Sequence, residues 1–244
     1  MADVLREDFD GIAVVTLNRP DALNALRPQL WVELVEHLQN IATATDRVGC
    51  VVLNANGRSF SAGNDLKALA AGESAPSEHY QAQAIDLMES IPQPVIASAH
   101  GHCYTGALEL VLGATMFIVA DDVRIADTHG QWGMSSTWGM SQRLPRRIGT
   151  LRAAEMMLTG REIDGPEAVA MGLANRSVPV ADLSAETMRF ARRCVDRSWF
   201  TLASVKRLVA ATQNMTLAEG LAYERETSGA GPDMAERLES FGKK

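Results

Sequence analysis

The sequence predicts an α/β fold followed by a helical C-terminal region, and three observations support this prediction. Short apolar runs rich in β-branched residues alternate with segments of helical periodicity as far as Thr150, and helical segments alone follow. Two of the runs, 49–54 and 95–98, are apolar almost throughout, which is typical of parallel strands covered on both faces. The 244 residues suffice for such a core, since a chain of this length buries roughly 70–75% of its surface on folding.

The first predicted elements are a strand, a helix and a buried strand. Residues 12–17 are β-branched and end at Asn18-Arg19-Pro20, which is a strand followed by a turn. Residues 28–44 have helical periodicity with one apolar face. That face consists of Leu30, Leu34, Leu38 and Ile41. The apolar run 49–54 then predicts the second strand.

The later elements repeat this alternation before the strands stop. The run 95–98 predicts a third buried strand, residues 107–113 predict a helix, and 117–120 and 123–126 predict two more short strands. Four further helices are predicted at 151–158, 166–171, 185–195 and 199–211. We therefore divide the chain into an α/β core, residues 1–184, and a C-terminal helical region, residues 185–244.

Composition and charge limit the classes of function. The net charge of −7 disfavours general nucleic-acid binding. The three cysteines are far apart and in no metal-ligand spacing, so we expect reduced thiols and no disulfide framework. The acidic N-terminal stretch lacks a signal-peptide core, and the longest apolar run, 108–120, is too short to cross a bilayer. We expect a cytoplasmic protein with no membrane partner, no metal and no redox cofactor, since a dinucleotide fingerprint is also missing from the sequence.

The most informative feature is a pair of small-residue turns, each following an apolar strand. The first glycine turn is 60–67, Phe-Ser-Ala-Gly-Asn-Asp-Leu-Lys, and the second glycine turn is 101–110, ending in Ala-Leu-Glu-Leu. Small residues leave peptide N–H groups accessible, and two such turns on adjacent strands could direct two N–H groups at one oxygen. Glu109 lies on the helix that follows and could act as an acid or base. Ordinary tight turns and a solvated glutamate are the alternative interpretation, but the apolar neighbours of Glu109 argue against free solvation.

These residues, in this order, resemble the crotonase, or enoyl-CoA hydratase/isomerase, superfamily. The resemblance runs through most of the chain. Its pieces are 17–20 with 23–26, the first glycine turn, 94–97 through Glu109, 142–146, 158–160 and 172–176.

The resemblance implies a spiral of repeated ββα units that binds acyl-CoA thioesters, with the C-terminal helices forming a trimerisation region. Trimers, or hexamers of two trimers, are the implied assembly. The N–H groups of Ala62 and Gly106 map onto the family's oxyanion hole, where two donors stabilise the enolate of the thioester. Coenzyme A would belong to the substrate, so no separate cofactor is implied.

The resemblance also identifies the acid/base residues and one departure from the family pattern. Hydratases of the family use two carboxylates twenty positions apart; the first maps onto Glu109 and the second onto His129. Glu109 and the His129 imidazole could share the proton transfers of hydration, because histidine titrates near neutrality. Glu109 alone could move a double bond, as in a Δ3-Δ2-enoyl-CoA isomerase. A weakly catalytic acyl-CoA-binding protein is the third possibility, supported by the missing carboxylate.

The remaining candidate residues concern substrate binding. Two residues, Asp65 and Leu66, match positions near the CoA adenine in the family, and Ala62 and Gly63 are further candidates for substrate binding. The candidates for the CoA phosphates are Arg19, Arg27 and Lys67. Trp132 and Trp138 are candidates for an apolar wall at the acyl end of the pocket, where the family's Pro-Gly-rich turn is replaced by 135–140.

Basic residues on the last predicted helices have three possible roles. They are Arg189, Arg192, Arg193, Arg197, Lys206 and Arg207. Subunit contacts on a helix surface, phosphate binding from a neighbouring subunit, and nucleic-acid binding all remain open at this point.

Overall fold

The computed structural model describes residues 2–241 and has an α/β architecture with two sheets. The large sheet contains β1 (Val4–Phe9), β2 (Ile12–Leu17), β3 (Cys50–Ala55), β4 (Val95–Ala99), β6 (Met116–Ala120) and β8 (Arg176–Val178), neighbouring one another in that order. The small sheet contains β5 (His102–Tyr104) and β7 (Arg124–Ala126). β1 is antiparallel to β2, and the other paired strands are parallel.

Eleven α-helices lie within the described residues. They are α1 (Pro28–Thr43), α2 (Leu66–Ala70), α3 (Tyr80–Ser90), α4 (Gly106–Leu112), α5 (Met140–Ile148), α6 (Thr150–Thr159), α7 (Gly165–Ala170), α8 (Leu183–Val195), α9 (Trp199–Thr212), α10 (Leu217–Thr227) and α11 (Met234–Phe241). The apolar face predicted for α1 is fully buried. None of the helices found between residues 2 and 241 has both the length and the apolar content needed to cross a membrane.

Repeated strand–strand–helix units connect the two sheets, as the fold prediction requires. β4, β5 and α4 form one unit, in which β4 joins the large sheet and β5 the small one. β6, β7 and α5 form the next unit. An earlier unit along the chain consists of β3, the bridge residue Ser61 and α2. Ser61 pairs with Cys103 of β5 and takes the place of the second strand. The expected ββα spiral is therefore confirmed.

The N-terminal strand β1 was not predicted from the sequence. Only Val4 of its residues is buried, because β1 is the edge strand and its outer face meets solvent. A usable signal was Asp10-Gly11, whose positive φ angles of 51° and 77° form the two-residue turn between β1 and β2.

The predicted boundary at residue 184 falls in the first turn of α8. This helix packs on the large sheet, where the Thr187 hydroxyl lies 2.9 Å from the Ser98 hydroxyl of β4. α8 thus covers the core, and the helices without buried residues are α9, α10 and α11. The division into two regions stays a prediction.

Asn24 anchors the first glycine turn to the start of the chain. It is fully buried, with a left-handed φ of 51° that asparagine tolerates better than most residues. Its amide donates to the carbonyls of Asn56 and Ser59, both at 2.8 Å, and accepts from the Arg19 N–H at 2.7 Å. The path of the chain into the glycine turn therefore depends on one side chain.

We expect Asn24→Ala to lower the free energy of unfolding by about 2–4 kcal/mol, because it removes three hydrogen bonds and leaves the buried Ser59 carbonyl without this partner. Asn40→Ala is the control, since the Asn40 amide is exposed and bonds only to Glu36 of its own helix. Its effect should stay within about 0.5 kcal/mol. Urea unfolding followed by circular dichroism measures both changes. Equal effects of the two substitutions would contradict an anchoring role for Asn24.

Candidate active site

The two glycine turns lie against each other, because a parallel bridge pairs Ser61 of the first turn with Cys103 of the second. Gly63 sits at the contact with a φ of 91°. A Cβ on Gly63 would lie 2.6 Å from the Tyr104 carbonyl oxygen and 3.4 Å from the Gly106 nitrogen. Only glycine fits this position, and its backbone is within contact distance of the second turn.

Ala62 does not supply the oxyanion donor that was expected of it. Its N–H already donates to the Leu23 carbonyl at 3.0 Å, so the expectation is wrong for this residue. Asn64, two residues later, has the free N–H instead. Leu26 bonds in parallel fashion to the residues on either side of Asn64: its N–H donates to Gly63 O at 2.8 Å, and its carbonyl accepts from Asp65 N at 3.3 Å. In that pairing the N–H of the middle residue faces the opposite direction.

Within residues 2–241, neither the Asn64 N–H nor the Gly106 N–H has a hydrogen-bond acceptor. Both residues line the same small cavity. The two turns therefore present two unsatisfied donors to one space, as the sequence predicts, but the first donor comes from Asn64 rather than Ala62.

Thr105 sets the orientation of the Gly106 peptide. Its φ of 52° and ψ of −106° are unusual for a β-branched residue and store strain. The strained conformation is held by the Thr105 N–H donating to Ala126 O at 2.9 Å and by the Thr105 hydroxyl, which accepts from the Thr128 N–H at 2.9 Å. The two threonine hydroxyls lie 2.6 Å apart.

Glu109 lies on α4 with only 1% of its side chain exposed. Its Oε1 accepts the N–H groups of Trp138 and Met140, both at 3.0 Å. Its Oε2 is 3.7 Å from Nε2 of His129. Burial raises the pKa of Glu109 above its usual range, although these hydrogen bonds and the nearby imidazole oppose the rise. A buried carboxyl with a raised pKa is suited to exchanging protons.

His129 forms a second pair with Asp127. Its Nδ1 lies 2.6 Å from Oδ1 of Asp127, and its backbone N–H donates to the same oxygen at 3.1 Å. Burial lowers the pKa of His129, but the hydrogen bond and charge of Asp127, together with the charge of Glu109, outweigh it and raise the pKa. Asp127, His129 and Glu109 therefore form one chain of ionisable groups. Sequence reasoning identified the last two and missed Asp127.

The cavity beside Glu109, which we call the chamber, has a volume of about 90 Å³. Its lining residues are Asn64, Thr105, Gly106, Glu109, His129, Met134, Ser135, Thr137 and Trp138. A groove of about 700 Å³ adjoins it and shares Asn64, Thr105 and Met134 with it. The predicted CoA-binding residues Arg19, Arg27, Ala62, Asp65, Leu66, Lys67 and Trp132 line this groove. Trp138 lines the chamber and Trp132 the groove, so the two tryptophans do not share one wall.

The charged candidates in the groove differ in what already binds them. Arg19 donates to Asp65 at 2.8 Å, and Arg27 makes a two-pronged contact with Asp3 at 2.5 and 2.8 Å. Asp65 also caps α2 by accepting the N–H groups of Lys67 and Ala68, both at 3.1 Å. These contacts brace the groove wall. The Lys67 side chain is exposed and, among the described residues, makes no salt bridge.

Three of the six basic residues on the last predicted helices bind other groups of this chain. The Lys206 ammonium donates to the carbonyls of Met88, Ile91 and Gln93 at 3.2, 2.8 and 2.9 Å. Arg189 pairs with Glu186, and Arg207 donates to Thr227 O. Burial lowers the pKa of Lys206 to about 8, and the three carbonyls occupy all three N–H donors of its ammonium group. For Arg189, Lys206 and Arg207, these contacts favour a structural role over a nucleic-acid-binding one.

Comparisons with known proteins point to one family. The profile of the enoyl-CoA hydratase/isomerase family matches residues 7–242. A probable enoyl-CoA hydratase of Mycobacterium tuberculosis is 30% identical over 98% of this chain and 94% of that protein. The carnitinyl-CoA dehydratase of Citrobacter koseri is 31% identical over 90% of this chain and 84% of that protein. The crystal structure of an enoyl-CoA hydratase from Bacillus anthracis matches with a TM-score of 0.91 and 28% identity, covering 99% of this chain and 96% of that one.

Proposed function

The chain belongs to the enoyl-CoA hydratase/isomerase family and is an acyl-CoA-processing enzyme of the crotonase type, and from this premise we propose that it hydrates a 2-enoyl-CoA thioester. One observation carries the choice of reaction. Glu109 and His129 face each other at 3.7 Å in the chamber that also contains the two unsatisfied N–H groups. Hydration needs two proton-transfer groups beside an oxyanion hole.

In the proposed reaction the thioester carbonyl oxygen accepts from the N–H groups of Asn64 and Gly106. Glu109 takes a proton from water, the resulting hydroxide oxygen bonds to the β-carbon, and the electron pair of the double bond moves into the enolate held by the two donors. The protonated His129 then delivers the Nε2 proton to the α-carbon. A proton passing from Glu109 to His129 restores the starting state, so the net change is addition of one water.

The remaining groove residues would bind the CoA part of the substrate. Lys67 is the proposed phosphate contact, because Arg19 and Arg27 are already paired with carboxylates. Coenzyme A enters as part of the substrate, and the proposed steps use only side chains and peptides of this chain.

Wild-type protein mixed with 2-butenoyl-CoA tests the proposal through loss of the absorbance of the conjugated thioester. Turnover is the expected result. Binding without turnover would instead support an acyl-CoA-binding protein. Turnover of a 3-enoyl-CoA that persists in His129→Ala, with no hydration of the 2-enoyl substrate, would support the Δ3-Δ2 isomerase, since that reaction needs Glu109 alone.

We expect a bell-shaped dependence of kcat/KM on pH. Glu109 must be ionised, and its raised pKa places the acidic limb above the ordinary glutamate value of about 4.3. His129 must be protonated, and its raised pKa places the alkaline limb above about 6.5. Because the two groups interact, the limbs report pKa values of the pair. Initial rates between pH 4 and 10 measure both limbs. His129→Gln should abolish the alkaline limb, and an alkaline limb that survives this change would contradict its assignment to His129.

We further propose that the chain assembles as a homotrimer or a hexamer of two trimers. Exposed apolar side chains on the last three helices support the proposal, because contacts between chains would bury them. They are Phe200, Val205, Val209, Leu217, Leu221, Met234, Leu238 and Phe241. Light scattering coupled to size exclusion should give a mass of three or six chains, and a monomer mass would contradict the proposal.

A cytoplasmic location is proposed on the state of the cysteines. Cys50, Cys103 and Cys194 are all free thiols, and Cys50 and Cys103 are buried. Free thiols are the usual state in reducing compartments.

A further inference from the structure

Asp127 is a buried carboxylate whose one ionic partner in the described part of the chain is His129. The Asp127 side chain is 3% exposed, and within residues 2–241 it makes no salt bridge to an arginine or lysine. A buried charge is costly unless it is paired. The charge of Asp127 is therefore retained for the imidazole rather than for a structural cation.

The contact fixes both the tautomer and the direction of the imidazole. Since a carboxylate only accepts, Nδ1 of His129 must carry the proton in their 2.6 Å hydrogen bond. The other nitrogen, Nε2, is then directed to Oε2 of Glu109 at 3.7 Å. The backbone N–H of His129 donates to the same carboxylate, which holds the short segment 127–129 as one unit.

We propose that Asp127 is a positioning residue for His129: it holds Nε2 toward the chamber and stabilises the imidazolium that delivers the proton. This inference rests on the proposed hydration and adds a third member to its proton-transfer groups. The ionisable groups that face His129 are Asp127, after β7, and Glu109, on α4. Asp127 therefore acts through His129, without touching the substrate.

Asp127→Asn tests the proposal because it removes the charge and keeps the shape. We expect kcat for hydration of 2-butenoyl-CoA to fall at least 100-fold, while KM changes less than threefold. The alkaline limb of the pH profile should move to lower pH, since Asp127 contributes more than Glu109 to the raised pKa of His129. Asp127→Glu should recover part of the lost rate. Asp122→Asn is the matched control, because Asp122 is exposed in the preceding turn, and it should change neither quantity.

A second measurement separates this proposal from the proposed reaction. The ring nitrogens of His129 are titrated by ¹⁵N NMR without substrate, in wild type and Asp127→Asn. A lower imidazole pKa or a changed tautomer in the variant supports positioning even if wild type hydrates nothing. An unchanged titration, or an unchanged pH profile with kcat within threefold of wild type, would overturn it.

The end wall of the chamber carries an independent inference. The Trp138 ring packs so closely on Gly106 that a Cβ on Gly106 would overlap it. The same ring meets Trp31 edge-on, with centroids 5.2 Å apart. Its backbone N–H is held by Glu109 at 3.0 Å and its carbonyl accepts from Arg143 at 3.1 Å. Contacts to ring and backbone thus hold Trp138 in place.

The chamber that Trp138 bounds is small compared with the groove. The chamber measures about 90 Å³, whereas the groove measures about 700 Å³. The geometry points to short-chain 2-enoyl-CoA substrates, with Trp138 as the residue that limits acyl length. This inference also rests on the proposed hydration.

A series of 2-butenoyl-, 2-hexenoyl- and 2-octenoyl-CoA tests the limit on wild type. We expect kcat/KM to fall at least tenfold from the four-carbon to the eight-carbon substrate, and Trp138→Leu to reduce that ratio. Thermal unfolding shows whether the variant is folded; if it is not, the wild-type series decides. Equal rates along the series would overturn the inference and leave the proposed function standing, whereas no turnover of any member would overturn both.

Discussion

Glu109→Gln is expected to lower kcat for hydration by about 10²–10⁴-fold, the usual contribution of a general acid or base. Glutamine retains the shape of the side chain and an oxygen that can accept the N–H groups of Trp138 and Met140. It cannot take a proton from water. The loss should therefore appear in kcat, measured by stopped-flow or steady-state hydration of 2-butenoyl-CoA, with little change in KM.

The same substitution should leave the fold at least as stable. The pKa of Glu109 is raised in the folded state, so its ionised form opposes folding. The stability linked to this group is present below its unfolded pKa and is lost as pH rises through the folded pKa. At pH 7 the neutral glutamine avoids that cost. Lost activity together with an unchanged or higher Tm distinguishes a catalytic role from a structural one.

Glu36→Gln is the control for both measurements, since Glu36 is exposed on α1 and distant in sequence from the site. It should change neither kcat nor Tm. Hydration by Glu109→Gln within tenfold of wild type would contradict the role of Glu109 as the base.

Asn64→Pro is the second substitution with a large expected effect. Proline has no N–H, so one of the two proposed oxyanion donors disappears, and kcat should fall by about 10²–10³-fold. The hydrogen bonds that hold this segment to Leu26 use Gly63 O and Asp65 N, so they do not depend on the removed group. Steady-state hydration measures the loss, and circular dichroism checks that the turn still folds.

Asn64→Ala is the matched control, because it removes the side chain and retains the peptide N–H. Its rate should stay within about fivefold of wild type if the peptide is the donor. Equal losses in the two variants would indicate that the side chain matters instead. A proline variant with wild-type kcat would contradict the oxyanion hole formed by Asn64 and Gly106.

The fold was predictable because its signals are local. Apolar β-branched runs, the buried face of α1 and the glycine turns all lie within short windows of sequence. β1 escaped prediction because an edge strand buries one face at most. The charged residues Arg6, Glu7 and Asp8 also interrupt the alternation of apolar and polar side chains that identifies a strand. The Asp10-Gly11 turn between β1 and β2 was the available signal.

The charged groove residues show a different limit. Arg19 and Arg27 were equally plausible as phosphate ligands by residue type. Their partners Asp65 and Asp3 lie 46 and 24 positions away in the chain, so the pairing is decided by folding. Asp127 is the intermediate case: it is two residues from His129, but proximity in sequence does not reveal a buried hydrogen bond.

The sequence by itself determined the α/β fold and the pair of glycine turns. It also placed Glu109 and His129 twenty positions apart, which is the spacing of the two catalytic residues in the family. Only the tertiary structure decided which peptide of the first turn is free to bind an oxygen. The reason is that a peptide N–H becomes available only when no neighbouring backbone carbonyl accepts it. Leu23 accepts the N–H of Ala62, whereas Leu26 pairs around Asn64 and leaves its N–H directed toward the chamber.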